Sequence, residues 1–167
     1  MRYLHQLLLI FFIYLISINF SNSKETAFID IDFIIANSNI GKKVLLSINK
    51  LDKENIENLK KKNKSLQELE ISIKNKKNII SDDAFKKEVV SFQAKVKKFK
   101  EEKNKIVKNF NEVKRKELEN VFKKISPIIN DYMEENSVSV LLDSKNIFMG
   151  TKKSNLTKDI LDRINKE

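Results

Sequence analysis

A catalytic site in this sequence would have to be built from lysines and carboxylates, because cysteine is absent and the one histidine is His5. Thiol nucleophiles, Ser-His-Asp triads and zinc sites with His or Cys ligands are therefore excluded from the chain beyond His5. Glycine occurs only at Gly41 and Gly150, so neither a P-loop nor a G-x-G-x-x-G turn can form.

Asp30 and Asp32 come nearest to a pair of carboxylates that could act as general acid and base, since they stand two residues apart. They flank the end of a predicted strand, where such side chains face solvent or cap the following turn. We therefore predict that the chain is not an enzyme and that it requires no cofactor and no metal. The triplet Asn155-Leu156-Thr157 matches the glycosylation pattern, but Thr157 is better explained as the cap of a last helix.

Lysine is the residue type that points to binding. The sequence has 33 basic and 23 acidic residues, a net charge of +10, and residues 48–125 alone contain 23 basic and 13 acidic residues. A positive field of this kind attracts acidic chains and anionic surfaces. The alternative is a merely solvated helix surface in a chain whose codon usage favours lysine. The candidate residues for binding an acidic chain or an anionic lipid are Lys60, Lys61, Lys62, Lys64, Lys74, Lys76, Lys77, Lys86, Lys87, Lys95, Lys97, Lys98 and Lys100.

The first 23 residues have the pattern of a secretory signal peptide. Arg2 precedes an apolar run over residues 7–20, whose 14 residues are too few for the roughly 20 that cross a bilayer. Ser21 and Ser23 are the small residues that a signal peptidase recognises, so we predict cleavage before Lys24 and export. The alternative is an uncleaved membrane anchor.

Long helices are predicted for residues 48–125, because this stretch contains neither glycine nor proline. Ser81 can cap a second helix, and Asp82 and Asp83 then lie favourably at the positive end of its dipole. We therefore predict an antiparallel hairpin, a basic coiled-coil arm, with its tip near residues 80–84.

Apolar residues along both predicted helices recur at the 3-4 spacing of a coiled-coil seam. The phase of this repeat shifts before Leu118, which predicts a local change of supercoil. The phenylalanines of the second helix could instead form a surface for a partner, but their spacing favours the seam. The predicted seam residues of the first helix are Leu45, Leu59, Leu66, Ile73 and Ile80, with Ile48 and Leu69 at the flanking heptad position. Those of the second helix are Phe85, Val89, Phe92, Val96, Phe99, Ile106, Phe110 and Val113, and the spacing resumes after the shift with Leu118, Val121, Ile125, Ile128 and Tyr132.

Residues 24–47 and 126–167 are predicted to form a small β-rich body. Alternating side chains predict a strand over residues 27–31, and VSVLLD at 138–143 and IFMG at 147–150 predict two more. A sheet of two or three strands is marginally stable alone, so we expect oligomerisation to complete the body. The predicted fold class is α+β and mainly α. The predicted oligomerisation residues are Phe28, Ile29, Ile31, Val138, Val140, Leu142, Ile147 and Phe148.

This order of features resembles the Skp (OmpH-like) family of periplasmic chaperones. The resemblance rests on the strand pattern at residues 28–32, the turn segment ISDDAFKKE and the block VSVLLDSKNIFMG, and it covers essentially the whole exported chain. It implies a homotrimer in which terminal strands form a central barrel and three arms enclose a cavity. It also implies an ATP-independent holdase that keeps unfolded outer-membrane β-barrel proteins soluble in the periplasm until they insert into the membrane.

The basic arms of such a protein could also touch anionic lipid or lipopolysaccharide surfaces. Nucleic acid is not expected as a partner, because the chain is predicted to be exported, lacks tryptophan and has few arginines. The competing hypothesis is a membrane-anchored structural or tethering coiled coil of the envelope. An N-terminus at Lys24 would exclude anchoring.

Overall fold

The computed structural model describes residues 25–167, so the predicted signal peptide and its cleavage site lie outside the described residues. The described chain forms two compact units. We call residues 25–34 with 126–167 the body and residues 35–125 the arm. The elements are β1 (Glu25–Ile29), α1 (Ile31–Asn37), α2 (Asn39–Lys76), α3 (Asp82–Glu135), β2 (Val138–Asp143) and α4 (Thr157–Lys166), with short 3-10 turns at Ser144–Asn146 and Lys152–Ser154.

The mainly α character of the fold, with one small sheet, confirms the predicted fold class. In the body, β1 and β2 pair in parallel, with Ala27 opposite Leu141 and Phe28 opposite Leu142. Ala27 and Ile29 are buried, because this face of β1 packs into the core of the body. Since side chains alternate across a strand, Phe28 and Leu142 lie on the opposite face of the sheet.

The strand prediction is wrong beyond Ile29, because Ile31 begins a helix. Asp30 caps that helix: its carboxylate oxygen Oδ1 accepts a hydrogen bond from the N–H of Phe33 at 2.9 Å. The expectation that Asp30 caps the next turn is thus confirmed. A short polar side chain in this position satisfies a free N–H of the first helical turn and so favours the switch from strand to helix.

The predicted third strand at residues 147–150 is also wrong, since the described part of the chain contains two strands. The segment that contacts the free edge of β1 comes later in the sequence: the N–H of Leu156 donates to the carbonyl of Phe28 at 3.0 Å. Gly150 instead lies against the ring of Phe28, close enough that a Cβ on Gly150 would stand 2.5 Å from the Cε1 atom of Phe28.

The prediction that Thr157 caps the last helix is wrong. Thr157 is the first residue of α4, and Leu156 occupies the cap position. The buried Thr157 hydroxyl accepts a hydrogen bond from the N–H of Asp30 at 2.9 Å. It donates to Oδ1 of Asn155 at 2.6 Å. Thr157 therefore ties the start of α4 to the end of β1, two segments that lie 127 residues apart in the sequence.

In the arm, α2 begins at Asn39, nine residues before the predicted start at Ile48. Ser38 caps the helix, and its hydroxyl accepts a hydrogen bond from the N–H of Gly41 at 3.1 Å. Gly41 is required by a close backbone approach: a Cβ at this position would lie 1.8 Å from the carbonyl oxygen of Ile35. The early helix start thus depends on a serine cap and on a residue without a side chain.

The second arm helix, α3, begins at Asp82, and the hydroxyl of Ser81 accepts from the N–H of Ala84 at 3.4 Å, which confirms the predicted cap. The helix continues through Pro127 to Glu135, beyond its predicted end. Proline costs the helix one N–H donor, but its fixed φ is compatible with helical backbone. Ile125 and Ile129 on either side of Pro127 are buried, so packing holds this part of the helix in place.

The predicted seam of the arm is confirmed in α3 from Phe85 to Phe110, where each predicted residue is half-buried. In α2, Ile73 is buried, and Leu45, Leu59 and Leu66 are half-buried. Ile80 lies beyond the end of α2 at Lys76, so its predicted place in the first helix is wrong. In α3, Val113 is the exception, since its side chain is 40% exposed. All residues from 111 to 116 are exposed, which matches the phase shift predicted before Leu118.

Candidate functional site

Two ion pairs between α2 and α3 define which residues of the two helices lie level in the arm. Lys62 pairs with Glu102, and the ammonium of Lys76 lies 2.9 Å from a carboxylate oxygen of Glu88. Between these pairs both helices advance by 14 residues in opposite directions, which is two heptads of an antiparallel coiled coil. The hairpin prediction is therefore confirmed, and the side chains that lie level with each other can be read from this register.

Four of the thirteen lysines proposed as binding residues are held by carboxylates. Besides Lys62 and Lys76, Lys64 approaches Glu68 at 3.9 Å and Lys74 approaches Glu70 at 2.8 Å, both within one helix. The remaining nine are exposed, and none has a carboxylate within 4 Å in the described residues. These free lysines are Lys60, Lys61, Lys77, Lys86, Lys87, Lys95, Lys97, Lys98 and Lys100.

The two units carry charges of opposite sign. The arm contains 25 basic and 13 acidic residues, a net charge of +12, whereas the described body contains 6 basic and 10 acidic residues, a net charge of −4. The positive potential of the chain therefore arises from the arm. Because nine of the thirteen candidate lysines lack a local carboxylate, that potential is available to an external anion.

A groove of about 540 Å³ lies between α2 and α3 in the middle of the arm. Half-buried Leu66, Leu69 and Phe99 provide its apolar surface. Basic side chains from both helices line it as well, and the Lys62–Glu102 pair lies in its wall. This groove was not predicted from the sequence, because its residues come from two segments whose relative register no local pattern determines.

The predicted oligomerisation residues of the body fall into three groups by exposure. Ile29 and Val138 are buried within the chain, so their side chains belong to its own core. Phe28, Ile31 and Ile147 are half-buried. The exposed group consists of Val140, Leu142 and Phe148, which are 45%, 41% and 101% exposed.

Two residues of the exposed group, Val140 and Leu142, lie on one face of the sheet. Val140 and Leu142 pair with Thr26 and Phe28 of β1, on the side opposite the buried Ala27 and Ile29. Met149, next to Phe148, adds a side chain that is 82% exposed. An exposed sheet face with this many apolar side chains is typical of a surface that another protein covers.

The carboxylates near the end of β1 have structural partners. Asp30 caps α1, and Asp32 accepts a hydrogen bond from the ammonium of Lys145. This bond, reinforced by the charges of Asp143 and Asp30, raises the pKa of Lys145 above its ordinary value. Burial, with a contribution from the charge of Asp159, raises the pKa of Tyr132.

No group of three or more His, Cys, Asp or Glu side chains within residues 25–167 has an arrangement that could hold a metal ion. Over the same residues, none of the helices combines the length and the apolar composition of a membrane-spanning segment.

Comparison with known proteins identifies a family that the chain matches. The model of the family described as outer membrane protein (OmpH-like) matches residues 25–164. No curated protein sequence matches the chain. Solved structures of similar fold include the crystal structure of a candidate outer membrane chaperone (OmpH-like) from Caulobacter crescentus. The two chains are 18% identical, the match covers 84% of this chain and 83% of that chain, and the TM-score is 0.75.

Proposed function

The chain belongs to the OmpH-like family of outer membrane proteins, and from this premise we propose that it is an ATP-independent holdase chaperone. Its substrates would be unfolded outer-membrane β-barrel proteins, which it keeps soluble in the periplasm until they insert. It performs no covalent chemistry and needs no cofactor. The observation that carries the proposal is the set of nine free lysines on an arm with a net charge of +12.

The arm provides two kinds of weak contact for such a substrate. Free ammonium groups attract carboxylates of an unfolded chain over about a Debye length, roughly 8 Å at physiological ionic strength. Exposed apolar side chains such as Leu46, Ile56 and Ile71 offer nearby hydrophobic contacts. Each contact is reversible, and many such contacts on linked arms hold a client by avidity. Release needs no hydrolysis, because folding in the membrane lowers the free energy of the client further.

We also propose that the exported protein, starting at Lys24, is a homotrimer. A two-stranded sheet is marginally stable alone, and here its outer face carries the exposed Val140 and Leu142. Burying these side chains and Phe148 between copies of the chain would remove an exposed apolar surface. Pairing the outer edge of β2 with a strand of another copy would remove an edge that invites aggregation. The free lysines of three arms would also be the residues that touch anionic lipid or lipopolysaccharide.

The proposal is tested by measuring the mass of the protein starting at Lys24 by light scattering, alone and with an equimolar urea-unfolded barrel protein. We expect a trimer that gains the mass of one client and prevents turbidity after dilution of the urea. A monomer or dimer that leaves the client to precipitate would contradict both the holdase activity and the trimer.

Two triple variants with equal charge change test the role of the arm. Lys60→Gln, Lys97→Gln and Lys100→Gln remove three free lysines of the arm, and Lys152→Gln, Lys158→Gln and Lys166→Gln remove three exposed lysines of the body. At low salt, the arm variant should hold clients less well and the body variant should behave as the parent protein. Equal loss in both would mean that total charge, and not the arm, determines holding.

A further inference from the structure

The groove between α2 and α3 combines an apolar surface with cations from both helices. In the register set by the two ion pairs between the helices, Leu66 lies level with Lys98 and Leu69 lies level with Lys95. Lys61 lines the groove from α2, and the hydroxyl of Ser65 donates to the carbonyl of Lys61 at 3.2 Å. Apolar and cationic groups thus alternate across the opening.

The charge of the groove is unbalanced. Lys62 is neutralised by Glu102, but Lys61, Lys95 and Lys98 are exposed and have no carboxylate within 4 Å in the described part of the chain. The lining therefore carries four lysines and one glutamate, a net charge of +3. A ligand that complements it has an apolar group for Leu66 and Phe99 and anionic groups on either side.

We infer that this groove is a subsite for a client segment in which apolar and acidic residues alternate. The inference rests on the proposed holdase function and specifies which part of a client the arm recognises. Strands of outer-membrane barrels alternate between apolar and polar side chains, so an unfolded strand with acidic residues at its polar positions presents this pattern. One apolar side chain enters between the helices, and the carboxylates on either side of it reach Lys61 on α2 and Lys95 or Lys98 on α3.

The dimensions favour a side chain over a lipid acyl chain. The residues of α2 that line the groove, 61 to 69, span about 12 Å at 1.5 Å per residue. One leaflet of a bilayer is about 15 Å of hydrocarbon, half of the ~30 Å core. The groove is thus shorter than an acyl chain, and its volume lies within the range typical of small-ligand pockets.

The test uses the trimer, or whatever assembly the full exported chain forms, and a fluorescent peptide that contains Asp-Phe-Asp-Leu-Asp. Affinity is measured by fluorescence anisotropy at low salt. The groove variant Lys61→Gln, Lys95→Gln, Lys98→Gln should weaken binding about 10-fold, since each close charge contact contributes a few tenths to one kcal/mol. The matched variant Lys77→Gln, Lys86→Gln, Lys87→Gln removes three free lysines of the arm outside the groove and should weaken binding less than about 2-fold.

A second pair of variants tests the apolar part of the groove. Ser65 is exposed and lines the groove, so Ser65→Phe should fill it and weaken peptide binding about as much as the groove variant, whereas Ser65→Ala should leave binding unchanged. Equal loss in the two lysine variants, or full binding by Ser65→Phe, would overturn the inference. So would a groove variant that loses binding to phosphatidylglycerol vesicles but keeps its affinity for the peptide, because the site would then recognise lipid.

Failure of this inference is distinguishable from failure of the proposed function. If the parent protein keeps a barrel protein soluble and the two lysine variants bind the peptide equally well, the holdase function stands and the subsite is wrong. If the groove variants lose the peptide as expected but the parent protein does not prevent precipitation, the groove binds acidic-apolar segments and the holdase function is wrong.

Discussion

The arm and the body differ in how they bury apolar side chains. The arm has 91 residues and the described body has 52, yet the body contributes seven of the eleven buried hydrophobic side chains of the described chain and the arm four. Ile34 and Ile160 in the body are fully buried, whereas the predicted seam residues of α3 from Phe85 to Phe110 are only half-buried. The body is thus built around a core, and the arm from Phe85 to Phe110 around a narrow seam, whereas Val121 and Ile125 at the end of the arm are each only 1% exposed.

This difference separates the tasks of the two units. A core fixes one arrangement of β1, β2 and α4, which suits the role that we propose for the body, a constant surface for other copies of the chain. A half-buried seam leaves apolar side chains and free lysines of the arm in contact with solvent, where the client that we propose could reach them. The arm remains helical because its long helices lack internal glycine beyond Gly41 and carry many residues of high helix propensity.

The largest effect expected from this difference is on the free energy of unfolding after truncation of a core residue. Ile160→Ala in the body should cost about 2–5 kcal/mol, because a fully buried side chain leaves a cavity. Leu59→Ala in the arm should cost about 1 kcal/mol, because its half-buried site remains open to water. Urea unfolding followed by circular dichroism at one fixed protein concentration measures both. Equal costs would mean that the arm has a core of its own.

Glycine replacement should give the next largest effect. Gly41→Ala in the arm places a Cβ 1.8 Å from a backbone oxygen, that of Ile35, and the helix cannot keep its position. Gly150→Ala in the body places a Cβ 2.5 Å from the ring of Phe28, which can rotate. We expect a loss of about 1–3 kcal/mol for Gly41→Ala and about 1 kcal/mol or less for Gly150→Ala, measured by thermal unfolding. The reverse order would show that Phe28 is held more rigidly than the start of α2.

The sequence predicted the features of this fold that depend on local composition and periodicity. The absence of glycine and proline from residues 48–125 predicted long helices, the cap at Ser81 predicted the hairpin, and the 3-4 spacing predicted the seam from Phe85 to Phe110. Periodicity failed at Val113, because the phase shift there turns the side chain towards solvent. The strand VSVLLD was also predicted correctly, since its apolar run is flanked by polar residues on both sides.

The remaining features depend on contacts between distant segments. Thr157 has the sequence context of a helix cap, but its hydroxyl accepts a hydrogen bond from the N–H of Asp30, 127 residues away. The groove at Leu66 and Phe99 exists only in the register that Lys62 and Glu102 help to set, and these two residues lie 40 positions apart. Lysine runs in the sequence gave the sign of the arm's charge, but they did not show which lysines already have a carboxylate partner.

The smallest effect concerns the ion pairs that accompany the narrow seam of the arm. The side chains of Lys62 and Glu102 are 40% and 38% exposed, so solvent screens their attraction. A double-mutant cycle with Lys62→Gln and Glu102→Gln should give a coupling of about 0.2–1 kcal/mol, and 1 M salt should reduce it. The pair Lys50 and Glu54, which is 80% and 61% exposed at 4.0 Å within one helix, serves as the control and should couple less.

Equal coupling in the two cycles would mean that Lys62 and Glu102 contribute nothing particular to the register. In that case the half-buried side chains of the seam would set the register by themselves. A coupling well above 1 kcal/mol would instead place this pair among desolvated ion pairs, which are costly to break because one charge is left buried. The arm would then depend on a fixed internal contact, as the body does, and the contrast between a packed core and a narrow seam would no longer explain how the two units are stabilised.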